Sequence, residues 1–243
     1  MTAGTNDSMV LRGAGLVNIC QPKKGFRFTL DSLLLADFCR IKPRDRVLEP
    51  GAGTGIISIA LAKKFPSARF VADEVEPQIY NFLRLNVEQN GLLDAITTIE
   101  RNLRYLSRSM APETFDVIVA NPPYVKQGTG RTSPSPERHH ARQDQAASLA
   151  AWLNLQGLLK NRGRYFLVFP ASRAAELLSR LRENNLEPKR LRCVHPFADK
   201  PASLLLIESV KGAGTGLEVV PPLIVHEPDG RYTEEMRALY GAP

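Results

Sequence analysis

A strand-like apolar run that stops at two consecutive prolines constrains this chain more than any other feature. Phe115-Asp116-Val117-Ile118-Val119-Ala120 reads as a strand buried within a sheet, and Asn121-Pro122-Pro123-Tyr124 follows it directly. Neither proline can donate to a ladder, and each biases the residue before it toward extended geometry. The strand therefore ends there. The turn holds the Asn121 amide and the Pro122 carbonyl at its carboxyl end, with the Tyr124 ring beside them. Two acceptor oxygens and an aromatic plane suit one kind of ligand, a planar NH2 group whose hydrogens the oxygens take while the ring covers its plane. Such a group, on a nucleobase or a side-chain amide, accepts methyl groups.

A second motif reads as the site of a methyl donor, with a tight structural turn or another nucleotide site as the alternatives. In Val47-Leu48-Glu49-Pro50-Gly51-Ala52-Gly53-Thr54-Gly55 an apolar strand runs into three glycines at alternate positions, and a helix begins at Ile56. Glycine serves where backbone turns with positive φ or where a ligand touches the main chain. The spacing is G-x-G-x-G, tighter than the G-x-G-x-x-G that seats a pyrophosphate on a helix N-terminus. S-adenosylmethionine carries no phosphate, and its amino-acid end fits a tighter loop. A strand over 68–75 then ends in carboxylates about 20 residues beyond the glycines, where a nucleoside ribose presents two hydroxyls. Glu74 is the candidate for that contact, with Asp73 and Glu76 as rivals because register is not fixed by sequence. An acidic turn capping the helix that starts at Pro77 is the alternative.

Strands and helices alternate along the chain. The expected elements are an N-terminal hairpin over 9–28 with Gly25 near its turn, a helix 31–39 opened by Thr29 or Asp31, strand 46–49, helix 55–64, strand 68–75, helix 77–90 and strands 96–100 and 115–120. A polar loop over 126–142 follows, then helix 143–160, strand 163–169, helix 171–184 and strands 188–196 and 202–209. The pattern argues an α/β fold with a doubly wound, mostly parallel seven-stranded sheet and an antiparallel strand near the end. Ligands of such sheets sit at the carboxyl ends of the strands, where all the motifs above converge. At 243 residues the chain suits a single domain, read as a hairpin-and-helix extension over 1–40 and a catalytic core over 41–243. No apolar run approaches a membrane span and Met1 to Met9 lack a signal-peptide core, so no membrane association is expected. Cys20, Cys39 and Cys193 are odd in number and far apart, which suits a reducing cytoplasm and offers no metal site.

The net charge of +7 favours a polyanionic partner. Lys23, Lys24 and Arg27 precede the first helix. Lys126, Arg131, Arg138 and Arg142, with His139 and His140, follow the Asn121–Tyr124 turn. Lys189, Arg190 and Arg192 form a third group. Each group reads either as phosphate contacts or as solvated surface charge. Trp152, spaced with Leu149, Leu153 and Leu159, reads as core.

The chain resembles a known family. The opening Gly25-Phe26-Arg27-Phe28-Thr29-Leu30-Asp31-Ser32-Leu33-Leu34-Leu35-Ala36, the glycine loop and Asn121-Pro122-Pro123-Tyr124 are similar to those of the bacterial valine-tRNA adenine-N6 methyltransferases. So are His140-Ala141-Arg142, Pro222-Leu223-Ile224-Val225 and Asp229-Gly230-Arg231-Tyr232-Thr233. Asn-Pro-Pro-Tyr alone occurs in amino-group methyltransferases acting on DNA, ribosomal RNA and protein glutamine, and the Phe-Arg-Phe-Thr-Leu-Asp opening is narrower. The resemblance implies a class I methyltransferase fold, S-adenosylmethionine as donor, and adenosine 37 of a tRNA anticodon loop as acceptor, with no obligatory protein partner. It implies Asn121, Pro122 and Tyr124 as catalytic residues and Thr29, Asp31, Glu49, Gly51, Gly53, Gly55, Glu74, Asn102 and Asn121 around the cofactor. Thr29 and Asp31 also read as simple helix caps. Two departures stand out. Arg101-Asn102 replaces the usual Gly-Asp pair, so the contact to the cofactor's adenine amine falls to the Asn102 amide oxygen. Ala141-Arg142-Gln143-Asp144 lacks the usual His-Glu. The readings from other classes are an amino-group methyltransferase of rRNA, DNA or a protein glutamine, and a non-enzymatic RNA-binding module on the same fold.

Overall fold

The computed structural model describes residues 4–24, 27–123 and 149–240. Strands β1 (Gly4–Leu11) and β2 (Gly15–Pro22) open it as an antiparallel hairpin, registered from Gly4 opposite Pro22 to Leu11 opposite Gly15. The turn is Arg12-Gly13-Ala14, with Gly13 at φ 75° and Gly15 at φ 67°. Glycine adopts these left-handed values without the Cβ penalty, which corrects the expected placement of the reversal near Gly25. The pair of glycines at 13 and 15 dictates the turn, whereas Gly25 falls outside the described residues.

The body follows as α1 (Leu30–Phe38), β3 (Arg46–Glu49), α2 (Ile56–Lys64), β4 (Arg69–Glu74), α3 (Pro77–Gln89), β5 (Ile96–Glu100), α4 (Leu103–Ser109) and β6 (Phe115–Ala120). Pro77 occupies the first turn of α3, where its missing N–H costs nothing. From Leu149 onward come α5 (Leu149–Leu153), a 3-10 turn (Asn154–Leu158), β7 (Leu159–Pro170), α6 (Ala174–Glu183), β8 (Leu186–His195), β9 (Leu204–Lys211), β10 (Glu218–Val219), β11 (Leu223–Ile224) and α7 (Glu234–Leu239). The long helix expected over 143–160 is, in its described part, a short helix and a 3-10 turn. Asn154 and Gly157 are poor helix formers, and β7 begins at Leu159. Short elements α4, β10, β11 and α7 carried no pattern long enough to be expected.

The sheet runs β10-β8-β9-β7-β6-β3-β4-β5, with β11 also on β8. Strand β9 is antiparallel to β7 and β8, and the other pairings are parallel. Seven strands match the expected doubly wound order, and β10 and β11 raise the number to nine among the described residues. Alternate residues of the central strands face opposite layers. Val47, Val117, Val119, Phe166 and Val168 pack with α1, α2 and α3 through Leu34, Ile59 and Leu83. Leu48, Ile118, Ala120, Tyr165 and Leu167 pack with α4, α5 and α6 through Leu106, Leu153 and Leu177. Both faces of the sheet are thereby covered, which leaves the ends of the strands for ligands. The parallel register brings Glu49, Glu74, Glu100 and Ala120, the last residues of four neighbouring strands, to one pole.

Candidate active site

The glycine loop crosses that pole. Gly51 and Gly53 take φ 58° and Gly55 takes φ 87°, and Gly55 caps the start of α2. Close packing adds a second reason for glycine at two of them. A Cβ at Gly51 would stand 2.6 Å from Cη2 of Trp152, and one at Gly55 would stand 2.5 Å from Cδ1 of Leu83. Trp152 is therefore core, as expected, and also the wall behind the loop.

The loop amides point at the acids that end β4. Gly53 N–H donates to Oε2 of Glu74 at 2.9 Å, while Oε1 accepts from the N–H groups of Val75 and Glu76 at 2.8 and 2.9 Å. Three donors fill three of about four acceptor positions on that carboxylate and fix its aim. Asp73 is buried beside it, its carbonyl accepting from Ala52 N–H at 2.6 Å. Glu76 is exposed at the start of α3 and points no cap at the helix. Of the three rivals, Glu74 and Asp73 thus face the loop and Glu76 does not. Glu49 is also buried. Its Oε2 accepts from Ser58 N–H at 2.8 Å and from the Ser58 hydroxyl, tying the end of β3 to the first turn of α2.

These three carboxyls resist ionisation. Burial lifts Glu49 to about 8 against the two hydrogen bonds from Ser58, and the Glu74 charge adds to the rise. Burial, then the Glu74 charge, brings Asp73 to about 7, opposed by the Gly51 amide and Arg101. Burial raises Glu74 as well, against its three amide donors. A pole lined with desolvated acids suits a cationic ligand, and S-adenosylmethionine carries a sulfonium and an ammonium. Four buried side-chain polar atoms are without a hydrogen-bond partner among the described residues, and three belong to this loop or its walls: Thr54 Oγ1, Asp73 Oδ1 and Trp152 Nε1. The donor set therefore fits that cofactor.

Asn121 follows β6 directly, next to β3 in the sheet. Its side-chain Nδ2 donates to Oγ of Ser32 at 3.0 Å. Ser32 lies buried in the first turn of α1, so the amide is held with its NH2 end on the helix and its Oδ1 end left for a ligand. Sequence reading missed Ser32 although it quoted the segment, because nothing in a sequence pairs a helix hydroxyl with an asparagine 89 residues away. Pro122 is buried beside Asn121. Thr29 precedes α1 without a side-chain cap bond and is exposed, and Asp31 lies in the first turn. Asn102 sits two residues past β5, its carbonyl accepting from Tyr105 N–H at 2.9 Å as α4 begins. Tyr124, Lys126, Arg131, Arg138 and Arg142 lie outside the described residues.

The basic groups divide. Lys23 and Lys24 are exposed on the segment that leads into α1, and Arg27 on the same segment pairs with Asp7 at 3.1 Å. The third group is corrected. Arg190 is buried against Glu208 at 2.9 Å, donates to the Phe38 carbonyl at 2.6 Å, and covers the Phe38 ring. Arg192 pairs with Glu235 at 2.8 Å, and Lys189 donates to the carbonyls of Gly214 and Thr215. They hold α1, α7 and the 212–216 loop onto β8, a use that a count of adjacent cations does not reveal.

Among known proteins, the family model described as methyltransferase small domain matches residues 29–135, from the start of α1 past Asn121. The tRNA1(Val) (adenine(37)-N6)-methyltransferase of Vibrio campbellii is 27% identical over 219 residues, covering 89% of this chain and 88% of that protein. Its namesake in Histophilus somni is 31% identical over 155 residues, covering 63% and 64%. Among solved structures, a predicted O-methyltransferase from Agrobacterium tumefaciens superposes with a TM-score of 0.70 at 19% identity, over 87% of this chain and 96% of that one. TYW2 of M. jannaschii in complex with AdoMet gives 0.55 at 16% identity, covering 86% of each. These structures fix the fold.

Proposed function

We propose that this chain, a member of the tRNA1(Val) (adenine(37)-N6)-methyltransferase family, methylates the exocyclic amine of adenosine 37 in a valine tRNA. The observation that carries the reading is the fixed amide of Asn121, held by Ser32 beside a glycine loop and buried acids. S-adenosylmethionine, when bound, supplies an electrophilic methyl group and leaves as a neutral thioether. Gly51, Gly53 and Gly55 let the loop lie close under it. Glu74 offers its remaining acceptor position to a ribose hydroxyl, and Glu49 and Asp73 balance positive charge. Asn102 takes the adenine end of the cofactor, and Thr29 and Asp31 border its pocket from α1.

An adenine amine is a weak nucleophile because its lone pair is delocalised into the ring. Hydrogen bonds from its two hydrogens to Asn121 Oδ1 and the Pro122 carbonyl favour a pyramidal nitrogen and turn the lone pair toward the methyl group. Once methylated, the nitrogen would be cationic and would give its extra proton to water, while Asn121 and the Pro122 carbonyl would hold it in place. Positioning and a fixed dipole do the catalysis, and no strong base is required. Tyr124 stacks on the base, which enters by leaving its loop; unpaired RNA allows this at low cost. Lys23, Lys24, Lys126, Arg131, Arg138 and Arg142 neutralise phosphates around the entrance, with Arg27 beside them. The hairpin and α1 serve as an extension of one catalytic domain, and the reaction belongs to the cytoplasm, where its tRNA substrate is.

The test gives the purified protein S-adenosylmethionine and unmodified tRNA, rRNA fragments or DNA, and reads nucleosides by mass spectrometry. N6-methyladenosine confined to tRNA, and lost when adenosine 37 is replaced, is the expected result. Methylation of another polymer would overturn the substrate while keeping the pocket chemistry, and tight cofactor binding with no methylated nucleic acid would point to a protein acceptor.

A further inference from the structure

The amino ends of the strands form a second pole, opposite the one that carries Asn121. Arg40, Lys42, Arg44 and Arg46 follow one another out of α1 and into β3, and Arg46 lies opposite Arg69 across the β3–β4 pair. Arg162 lies in β7 where its register with β6 shifts, between Leu159 opposite Phe115 and Arg164 opposite Val117. All six are exposed, and none has a carboxylate partner among the described residues. The acids between them are turned inward. Asp45 is buried, accepting from Lys42 N–H at 2.6 Å and pairing with Arg164 at 2.5 Å. Asp116 accepts from Arg46 N–H at 2.9 Å and pairs with Lys160 at 2.7 Å. Glu113, exposed at the same pole, stands 3.7 Å from Lys211. Asp45 and Asp116 are thus spent on holding the loops, while Asp94 is exposed before β5. Among the cations, Arg69 donates to the Pro66 and Ala68 carbonyls, Arg162 donates to that of Gly212 and Arg46 lies over the Phe115 ring, each still exposed to solvent.

We infer that this amino pole is a second RNA contact, which takes the phosphate backbone of the tRNA body while the anticodon loop occupies the carboxyl pole. The inference rests on the tRNA reading above. The distance is compatible: a six-residue strand spans about 20 Å, within the length of a folded tRNA. A stem leaving the active site along the flank therefore reaches the opposite end. Exposed cations without a carboxylate partner suit backbone contacts, which add affinity and salt dependence without sequence preference.

The experiment compares wild type with the triple variant Arg40→Glu/Lys42→Glu/Arg69→Glu on full-length tRNA and on the isolated anticodon stem-loop. A charge-matched control, Arg84→Glu/Arg231→Glu/Arg237→Glu, alters exposed positions on α3, before α7 and on α7. The expected result is about ten- to a hundredfold weaker binding of full-length tRNA. The slope of log K against log salt should drop by about 0.9 per lost contact, with methylation of the stem-loop unchanged. Unchanged affinity and slope for full-length tRNA overturn the inference, and so does an equal loss in the control, which would assign the effect to net charge. A stem-loop loss matching the tRNA loss also overturns it. Wild type that binds tRNA but methylates neither RNA refutes the substrate reading instead, and the binding comparison still decides the surface.

Discussion

Ser32→Ala isolates the positioning of Asn121 from its presence. The only change is loss of the hydroxyl that accepts from Asn121 Nδ2 at 3.0 Å in a partly buried setting. Such a bond contributes about 0.5–1.5 kcal/mol. Without it the amide has less reason to keep its NH2 on α1, and the flipped amide sets a donor against the substrate's own NH2. A loss of 1 to 1.4 kcal/mol of orientational preference corresponds to about a five- to tenfold fall in kcat. On the proposed reading Ser32 makes no contact with the cofactor, so the dissociation constant for S-adenosylmethionine should stay within about twofold. Stability should fall by about 1 kcal/mol, or some 2–4 °C in Tm for a chain of this size. Calorimetric titration, turnover under saturating RNA and thermal melts give the three readings. In an Asn121→Ala background the same substitution should cost almost no further stability, since the partner is already absent. An unchanged kcat, or a kcat and a cofactor affinity that fall together, would refute the positioning role.

Three other outcomes follow from the geometry. Asn121→Ala should reduce kcat by at least a hundredfold, the scale of losing one fixed polar group at a reacting centre, while cofactor affinity measured by calorimetry is kept; loss of both would make Asn121 a structural residue. Gly51→Ala should abolish cofactor binding, because its Cβ would stand 2.6 Å from Trp152 at a backbone φ of 58°; Trp152 is the sole tryptophan, so a cofactor-dependent change in its fluorescence checks the wild type and should vanish in the variant. The third concerns pH. Glu49 titrates at about 8 and Asp73 at about 7 when folded, from ordinary values of 4.5 and 3.8. The folded protein thus holds protons that the unfolded chain has released, and stability falls as pH rises between about 4 and 8, by up to about 1.4 kcal/mol per pH unit for each group. Glu49→Gln should flatten that slope in melts of the cofactor-free protein, and an equal slope in both proteins would contradict the burial account.

The strands that carry the site were legible because they are buried on both faces and punctuated by Gly and Pro. Val47–Gly55 and Val117–Pro123 state their element and its end within ten residues, so Gly51, Gly53, Gly55, Glu74 and Asn121 fell where they were expected. Three things were not legible, each for a physical reason. The hairpin turn at Gly13 competes with every other glycine near the N-terminus, and only the cross-strand register of Leu11 with Gly15 chooses among them. The Ser32–Asn121 bond joins two segments that the fold alone brings together. Arg190 looked like an exposed cation because charge carries no signal of burial. Its partner Glu208 stands opposite on β9, a pairing that needs the antiparallel register.

The hairpin's purpose emerges from one buried asparagine. Asn86 on α3 is fully buried. Its Oδ1 accepts from Cys20 N–H of β2 at 2.7 Å, and its Nδ2 donates to the Cys20 carbonyl at 2.9 Å and to the Thr54 carbonyl of the glycine loop at 2.8 Å. A strand edge, a helix and the cofactor loop thus share one amide, and each bond satisfies a backbone group that burial would otherwise leave unpaired at a cost of about 1–3 kcal/mol. Without the hairpin Asn86 would lose both bonds to Cys20, and its grip on the Thr54 carbonyl would weaken with them. The N-terminal extension is therefore part of the device that holds the loop at its left-handed dihedrals. The same extension leads through Lys23 and Lys24 into α1, where Ser32 fixes Asn121. The glycine loop, through Asn86, and the Asn121 amide, through Ser32, are in this way both tied to the N-terminal extension, a coupling that runs through the fold.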